Sequence, residues 1–161
     1  MKRSVVLLVA ALAAAALAQA QRGDYTGPQP PKPDVPYLMH ADNLIETEVV
    51  EAREDKRKSE SLYTIPGAAS PARTPLAEPI FLFQSGEITP DTLELYRLEV
   101  KGGNRQAMVA RKRNSRPFRL TVTRLADRLY RIEVNRGMGL ENGEYSLSPN
   151  GSNRSFCFAV Y

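Results

Sequence analysis

Leu140-Glu141-Asn142-Gly143-Glu144-Tyr145-Ser146-Leu147-Ser148-Pro149-Asn150-Gly151 is followed, three residues on, by Ser155-Phe156-Cys157-Phe158-Ala159-Val160-Tyr161. The first stretch leads straight into a strand that runs through Leu147. Pro149-Asn150-Gly151 then reverses the chain, because Pro fixes one backbone angle and Asn and Gly tolerate the left-handed conformations a tight turn needs. The second stretch is a closing strand rich in aromatic and β-branched residues. Two strands joined by so short a turn are antiparallel, and the spacing sets the pattern sought upstream.

Upstream the same signals recur. Leu93 to Lys101 alternates, with Tyr96, Leu98 and Val100 on one face and Leu95, Arg97 and Glu99 on the other. Gly102-Gly103-Asn104 supplies a reversal into Gln106 to Ala110. Phe118, Leu120 and Val122 alternate with Arg119, Thr121 and Thr123, and Tyr130, Ile132 and Val134 with Arg131 and Glu133, as in half-buried strands. Ile80-Phe81-Leu82-Phe83 is apolar at every position and suits a strand covered on both faces. Ala68 to Pro79, with Pro71, Pro75 and Pro79, is expected to be a crossing loop. Residues 41–65 admit a helix, with Asp42 as cap, or a long charged hairpin turning near Asp55 to Lys58. The alternation Ile45-Thr47-Val49 favours the hairpin. About eight or nine such strands predict an all-β fold, an antiparallel β-sandwich or small barrel.

The amino terminus predicts export. Met1-Lys2-Arg3 is basic, Val5 to Leu17 is unbroken apolar sequence, and Ala18-Gln19-Ala20 is a small-residue cleavage signal. The apolar run is shorter than the roughly 18 residues that suggest a membrane-spanning helix, and no Cys follows it to accept a lipid. The expected domain plan is a signal peptide over 1–20, a disordered Pro-rich linker over 21–36, and one β-sandwich domain over 37–161. The expected location is periplasmic or extracellular, with nothing spanning the membrane after cleavage. Cys157 is the single cysteine, so no internal disulfide can form. Its apolar neighbours make it a buried small hydrophobe, with a cross-link between two copies as the alternative.

Leu140-Glu141-Asn142-Gly143-Glu144-Tyr145 resembles the Leu-x-Pro-Gly-x-Tyr corner of immunoglobulin-like and fibronectin-type sandwiches, with Asn142 standing where Pro is typical. The tail through Phe158 is also similar to the end of uncharacterised exported bacterial β-sandwich proteins that close with a Gly-Glu-Tyr strand and an aromatic final strand. The resemblance implies an immunoglobulin-like sandwich in which Gly143 and Tyr145 are structural and the Tyr145 hydroxyl bonds back to nearby backbone. It implies no activity.

Chemistry is thin. His40 is the only histidine, which leaves no partner for a triad or a two-histidine zinc site. There is no Gly-rich phosphate loop, Cys pair or calcium loop, so no cofactor or metal is expected. Carboxylates crowd Asp42 to Glu60, and a small carboxylate-dependent hydrolase is one alternative function. A small outer-membrane β-barrel is another.

Charge supplies the sharper expectation. Residues 21–96 hold seven Lys/Arg against thirteen Asp/Glu, and residues 97–136 hold twelve against three, a swing from −6 to +9. Arg111, Arg113, Arg119 and Arg131 are the candidate anion-binding residues of a basic sheet face. The expected function is a non-enzymatic exported envelope module that binds a partner protein or an anionic polysaccharide. Nucleic acid is not expected, since the basic stretch lacks interleaved aromatics for stacking. The competing explanation is that basic and acidic segments pair internally. The sequence leaves the oligomeric state open.

Overall fold

The computed structural model describes residues 25–110 and 117–161. The expected leader, Arg111 and Arg113 lie outside the described residues. In chain order the strands are β1 (Pro36–His40), β2 (Asn43–Glu46), β3 (Glu48–Glu51), β4 (Arg53–Lys56), β5 (Glu60–Pro66), β6 (Arg73–Thr74) and β7 (Ile80–Gln84). They continue as β8 (Leu93–Lys101), β9 (Asn104–Ala110), β10 (Leu120–Ala126), β11 (Leu129–Val134), β12 (Gly143–Pro149) and β13 (Arg154–Val160). The helical content of the described residues is one 3-10 turn, Pro90–Thr92. None of their helices is long and apolar enough to cross a membrane.

Two antiparallel sheets form the sandwich. The first has the order β10-β11-β7-β1-β2, and the second β3-β13-β12-β8-β9-β5-β4. The two ends of the second sheet, β3 and β4, are separated only by Ala52. They are therefore one segment, 48–56, which pairs with β13 through its first half and with β5 through its second. β8 makes the opposite corner, bonding β12 through Leu93–Leu98 and β9 through Glu99–Lys101. The second sheet thus closes on itself as a barrel of six antiparallel staves: segment 48–56, β5, β9, β8, β12 and β13. Closure satisfies backbone groups that an open edge would leave to solvent or to another chain.

One wall of this barrel packs on the first sheet. Leu38, Phe81, Phe83 and Ile132 meet Leu95, Leu147, Phe156 and Phe158, all fully buried. Phe81 and Phe158 meet edge to face at 5.1 Å, and Tyr145 stacks on Phe158 at 5.6 Å. Each such side chain contributes about 1.5–3 kcal/mol on burial. β13 has no solvent face: Phe156, Phe158 and Val160 point into the sandwich while Ser155 and Cys157 point into the barrel, and all are buried. That is why it lacks the polar alternation of β10.

The second sheet goes beyond the expected plan. A constant-type immunoglobulin domain sets four strands against three, whereas this chain sets five strands against the wall of a closed barrel. Of the hairpin expected over residues 41–65, residues 53–66 alone pair with each other, the turn closed by the Arg57 N–H donating to the Glu60 carbonyl at 2.8 Å, while Asn43–Glu46 pairs with β1 and Glu48–Glu51 with β13. Gly102 and Gly103 have φ of +58° and +75°, the left-handed pair a two-residue hairpin turn requires. The crossing loop contains β6, which pairs in parallel with the end of β13.

The Pro-rich segment differs from a free spacer. Asp34, at φ +58°, accepts hydrogen bonds from the N–H groups of Gly86, Glu87 and Ile88 at 2.7, 2.7 and 2.9 Å. Lys32 bonds Glu46, and Val35 is buried. Proline removes its own donor but does not prevent its neighbours from bonding, so residues 32–35 belong to the domain.

Candidate ligand cup in the barrel mouth

Strand alternation decides what faces the barrel interior. Glu54 lies opposite Tyr63, Ser61 opposite Val109, and Tyr63 opposite Ala107 in register, so these side chains share the inner face of one half. Across from them Glu94, Tyr96 and Leu98 of β8, Ser146 and Ser148 of β12, and Ser155 of β13 face inward.

At one end the interior is sealed. Arg105 is fully buried, donating through Nη1 and Nη2 to Glu48 at 2.6 and 2.9 Å. Its Nε and Nη2 also donate to the carbonyls of Gly67 and Pro66, each at 3.0 Å. Glu144 stands 3.8 Å from the same guanidinium and accepts the Ser70 N–H at 2.9 Å. Burial pushes the Glu48 carboxyl up, but the bonds from Arg105 and Ser70 outweigh it and hold it below the usual carboxylate range. Burial dominates at Glu144, which is raised. Ile65, Leu98, Ala52 and Cys157 form an apolar floor above this seal. Burial raises the Cys157 thiol to about 12, so it is an inert filler here.

The other end is open. It holds a cavity of about 440 Å³, within the usual range for small-molecule sites. Small side chains at Ala107 and Ser146 leave this space; a six-stranded barrel lined with Leu or Phe would be full. The Tyr63 hydroxyl donates to Glu54 at 3.2 Å, and Ser61 donates to the same oxygen at 2.8 Å. The Tyr96 hydroxyl donates to Glu94 at 2.6 Å, and Asn150 in the rim turn donates to its other oxygen at 3.1 Å. Ser146, Ser148 and Ser155 form a hydroxyl chain with spacings of 3.0 and 3.1 Å. The Ser61 bond holds the Glu54 carboxyl below its ordinary range, and burial followed by the Glu94 contact raises the Tyr96 phenol. The walls are therefore two phenol rings, two anchored carboxylates and a row of hydroxyls.

Comparison with family models, with curated proteins and with solved structures finds no match. The site stands on its geometry.

The sequence-derived anion-binding residues lie elsewhere. Arg119 is exposed beside the edge strand β10, and Arg131 is on the outer face of β11. Glu133 stands 3.0 Å from Arg131 Nε, an ion pair too poorly angled to be a hydrogen bond, so that buried Nε has no hydrogen-bond partner. Several other cations of the basic segment are engaged internally: Arg97 with Glu141, Arg105 with Glu48, Arg124 with Asp127, and Arg128 with the Ser85 and Gly86 carbonyls. Of these, Arg105–Glu48 alone joins the basic segment to a carboxylate of the acidic one; Arg97 and Arg124 pair with carboxylates outside it, and Arg128 bonds carbonyls. Tyr145, expected to be structural, is fully buried and its hydroxyl donates to the Glu141 carbonyl at 2.8 Å. Gly143 opens β12 opposite Val160. Among the described residues no group of three or more His, Cys, Asp or Glu is placed to hold a metal ion.

Sequence reading did place Tyr96 and Leu98 on one face of β8. It missed Glu54, Tyr63 and Glu94 as a set, because they come from two hairpins whose meeting depends on barrel closure.

Proposed function

We propose that the chain is a non-enzymatic exported binding module that holds a small molecule in the mouth of its barrel. The observation that carries this reading is a cavity of about 440 Å³, open at one end and sealed at the other by the Arg105–Glu48 pair. A sealed floor with a polar rim gives a guest burial and orientation together.

A hydrolytic pair of carboxylates would need one member held protonated as the acid. The Ser61 bond instead holds the Glu54 carboxyl below its ordinary range, and both oxygens of Glu94 accept hydrogen bonds, from Tyr96 and from Asn150. The outer wall of the β4–β5 hairpin carries Arg53, Asp55 and Glu60, which a lipid-facing row of an outer-membrane barrel would not.

The test is thermal stabilisation by small polar molecules, by heparin and by neither, in the protein and in Ala107→Phe, which fills the cup. Stabilisation by a small molecule that Ala107→Phe abolishes supports the cup. Stabilisation by heparin alone, unchanged in Ala107→Phe and lost at high salt, would move the binding surface to the exposed arginines and defeat the cup.

A further inference from the structure

We propose that the guest of the barrel mouth is a small organic ammonium ion, held by the rings of Tyr63 and Tyr96 and by the charge of Glu54 and Glu94. This rests on the reading of the mouth as a ligand site and names the class of molecule that fits it.

The donors in the cup are turned toward the protein. Both tyrosine hydroxyls, the Ser61 hydroxyl and the Asn150 amide donate to the two carboxylates. A neutral saccharide needs such donors aimed at its own oxygens, and these four are already in use. Beside the serine hydroxyls of β12 and β13, the cavity presents aromatic surface and negative potential to a guest. The charged side chains lining it are Glu54, Glu94 and Lys56, a formal balance of −1. Lys56 Nζ stands 3.6 Å from Glu54 with its side chain 70% exposed, a loosely held cation at the rim that an entering ammonium can displace.

Aromatic faces attract cations through the ring quadrupole, more strongly where water is excluded. A phenol that donates its proton to a carboxylate also gains electron density, which strengthens that attraction. Tyr63 and Tyr96 line the same cavity from opposite walls of the barrel. The apolar floor of Ile65 and Leu98 suits the methyl or methylene groups next to such a nitrogen.

The experiment is calorimetric titration of the protein with choline, tetramethylammonium, glucose and 3,3-dimethylbutan-1-ol, the uncharged carbon isostere of choline. Choline and tetramethylammonium are expected to bind, and the isostere to bind at least about tenfold more weakly. Glu94→Gln should weaken choline by about tenfold, and Lys56→Ala, which removes the competing cation, should strengthen it. Ala107→Phe should abolish binding. Val109→Trp gives the same block at the rim without touching the floor, should the first variant fold poorly. If the isostere or glucose binds as tightly as choline and the blocking variants remove it, the cup holds a guest but the ammonium assignment is wrong. If none of the four probes binds, the ammonium assignment is likewise overturned. If a probe binds and neither block affects it, the cup itself is wrong.

Discussion

Arg105 and Glu48 form a two-pronged pair inside the barrel, Nη1 to Oε2 at 2.6 Å and Nη2 to Oε1 at 2.9 Å, with the arginine withdrawn from solvent. Such a pair needs its remaining donors satisfied to offset desolvation, and the carbonyls of Pro66 and Gly67 do so. The arrangement seals one end of the barrel and leaves the other open.

Arg105→Met should destabilise the fold by about 3–5 kcal/mol, because Glu48 and Glu144 are left without their cation. Adding Glu48→Leu should recover a large part of that loss. Urea denaturation of the two variants decides it, and a double variant no more stable than the single would show that packing around Arg105, not charge, matters.

Acid should unfold the protein through depressed carboxylates. Glu48 and Asp34 have folded values below their ordinary ones, Asp34 because three backbone donors outweigh its burial. They contribute stability that is present above the unfolded value near pH 4 and is lost as pH falls through the folded value. Glu144 is raised and works in the opposite sense, its burden easing as it protonates. Stability should therefore fall below about pH 4, and Glu144→Gln should raise stability at pH 7 relative to pH 4. Melting curves across pH 2.5 to 7 test this; flat stability there would contradict it.

Tyr145→Phe should cost about 0.5–1.5 kcal/mol, the net value of one hydrogen bond, since the ring packing on Phe158 is kept. Unchanged melting would mean that the bond to the Glu141 carbonyl is neutral.

Asp34→Ala should cost about 1–3 kcal/mol, because three backbone donors lose a charged acceptor. Proteolysis of the segment before Val35 should quicken in the same variant. A variant as stable as the parent would return that segment to the role of a spacer.

Cys157 is fully buried with its thiol raised to about 12. It should resist alkylation at pH 8 in the native state and react fully in urea. Rapid native labelling would refute its burial, and with it the closure of the barrel around it.

Much of the fold was legible because alternation and turn chemistry are local. The strand over Leu93–Lys101, the Gly102-Gly103 reversal, the two-sided burial of Ile80–Phe83 and the Tyr145 back-bond all follow from residues within a few positions of each other. The candidate site was not legible for the opposite reason. Glu54 and Glu94 are 40 residues apart in the chain and share a cavity only because segment 48–56 bends at Ala52 and pairs on both sides. The plug was hidden in the same way, since Arg105 meets Glu48 across 57 positions.

By itself the sequence determined that this chain is antiparallel β, where most of its strands turn, and that no disulfide holds them, for side-chain period and turn preference are properties of neighbours. Only the tertiary structure decided that one sheet closes, that Arg105 plugs it, and that two tyrosines and two glutamates line its open mouth. Closure is set by which edges find each other in space, and period-two patterning is identical in an open sheet and in a barrel.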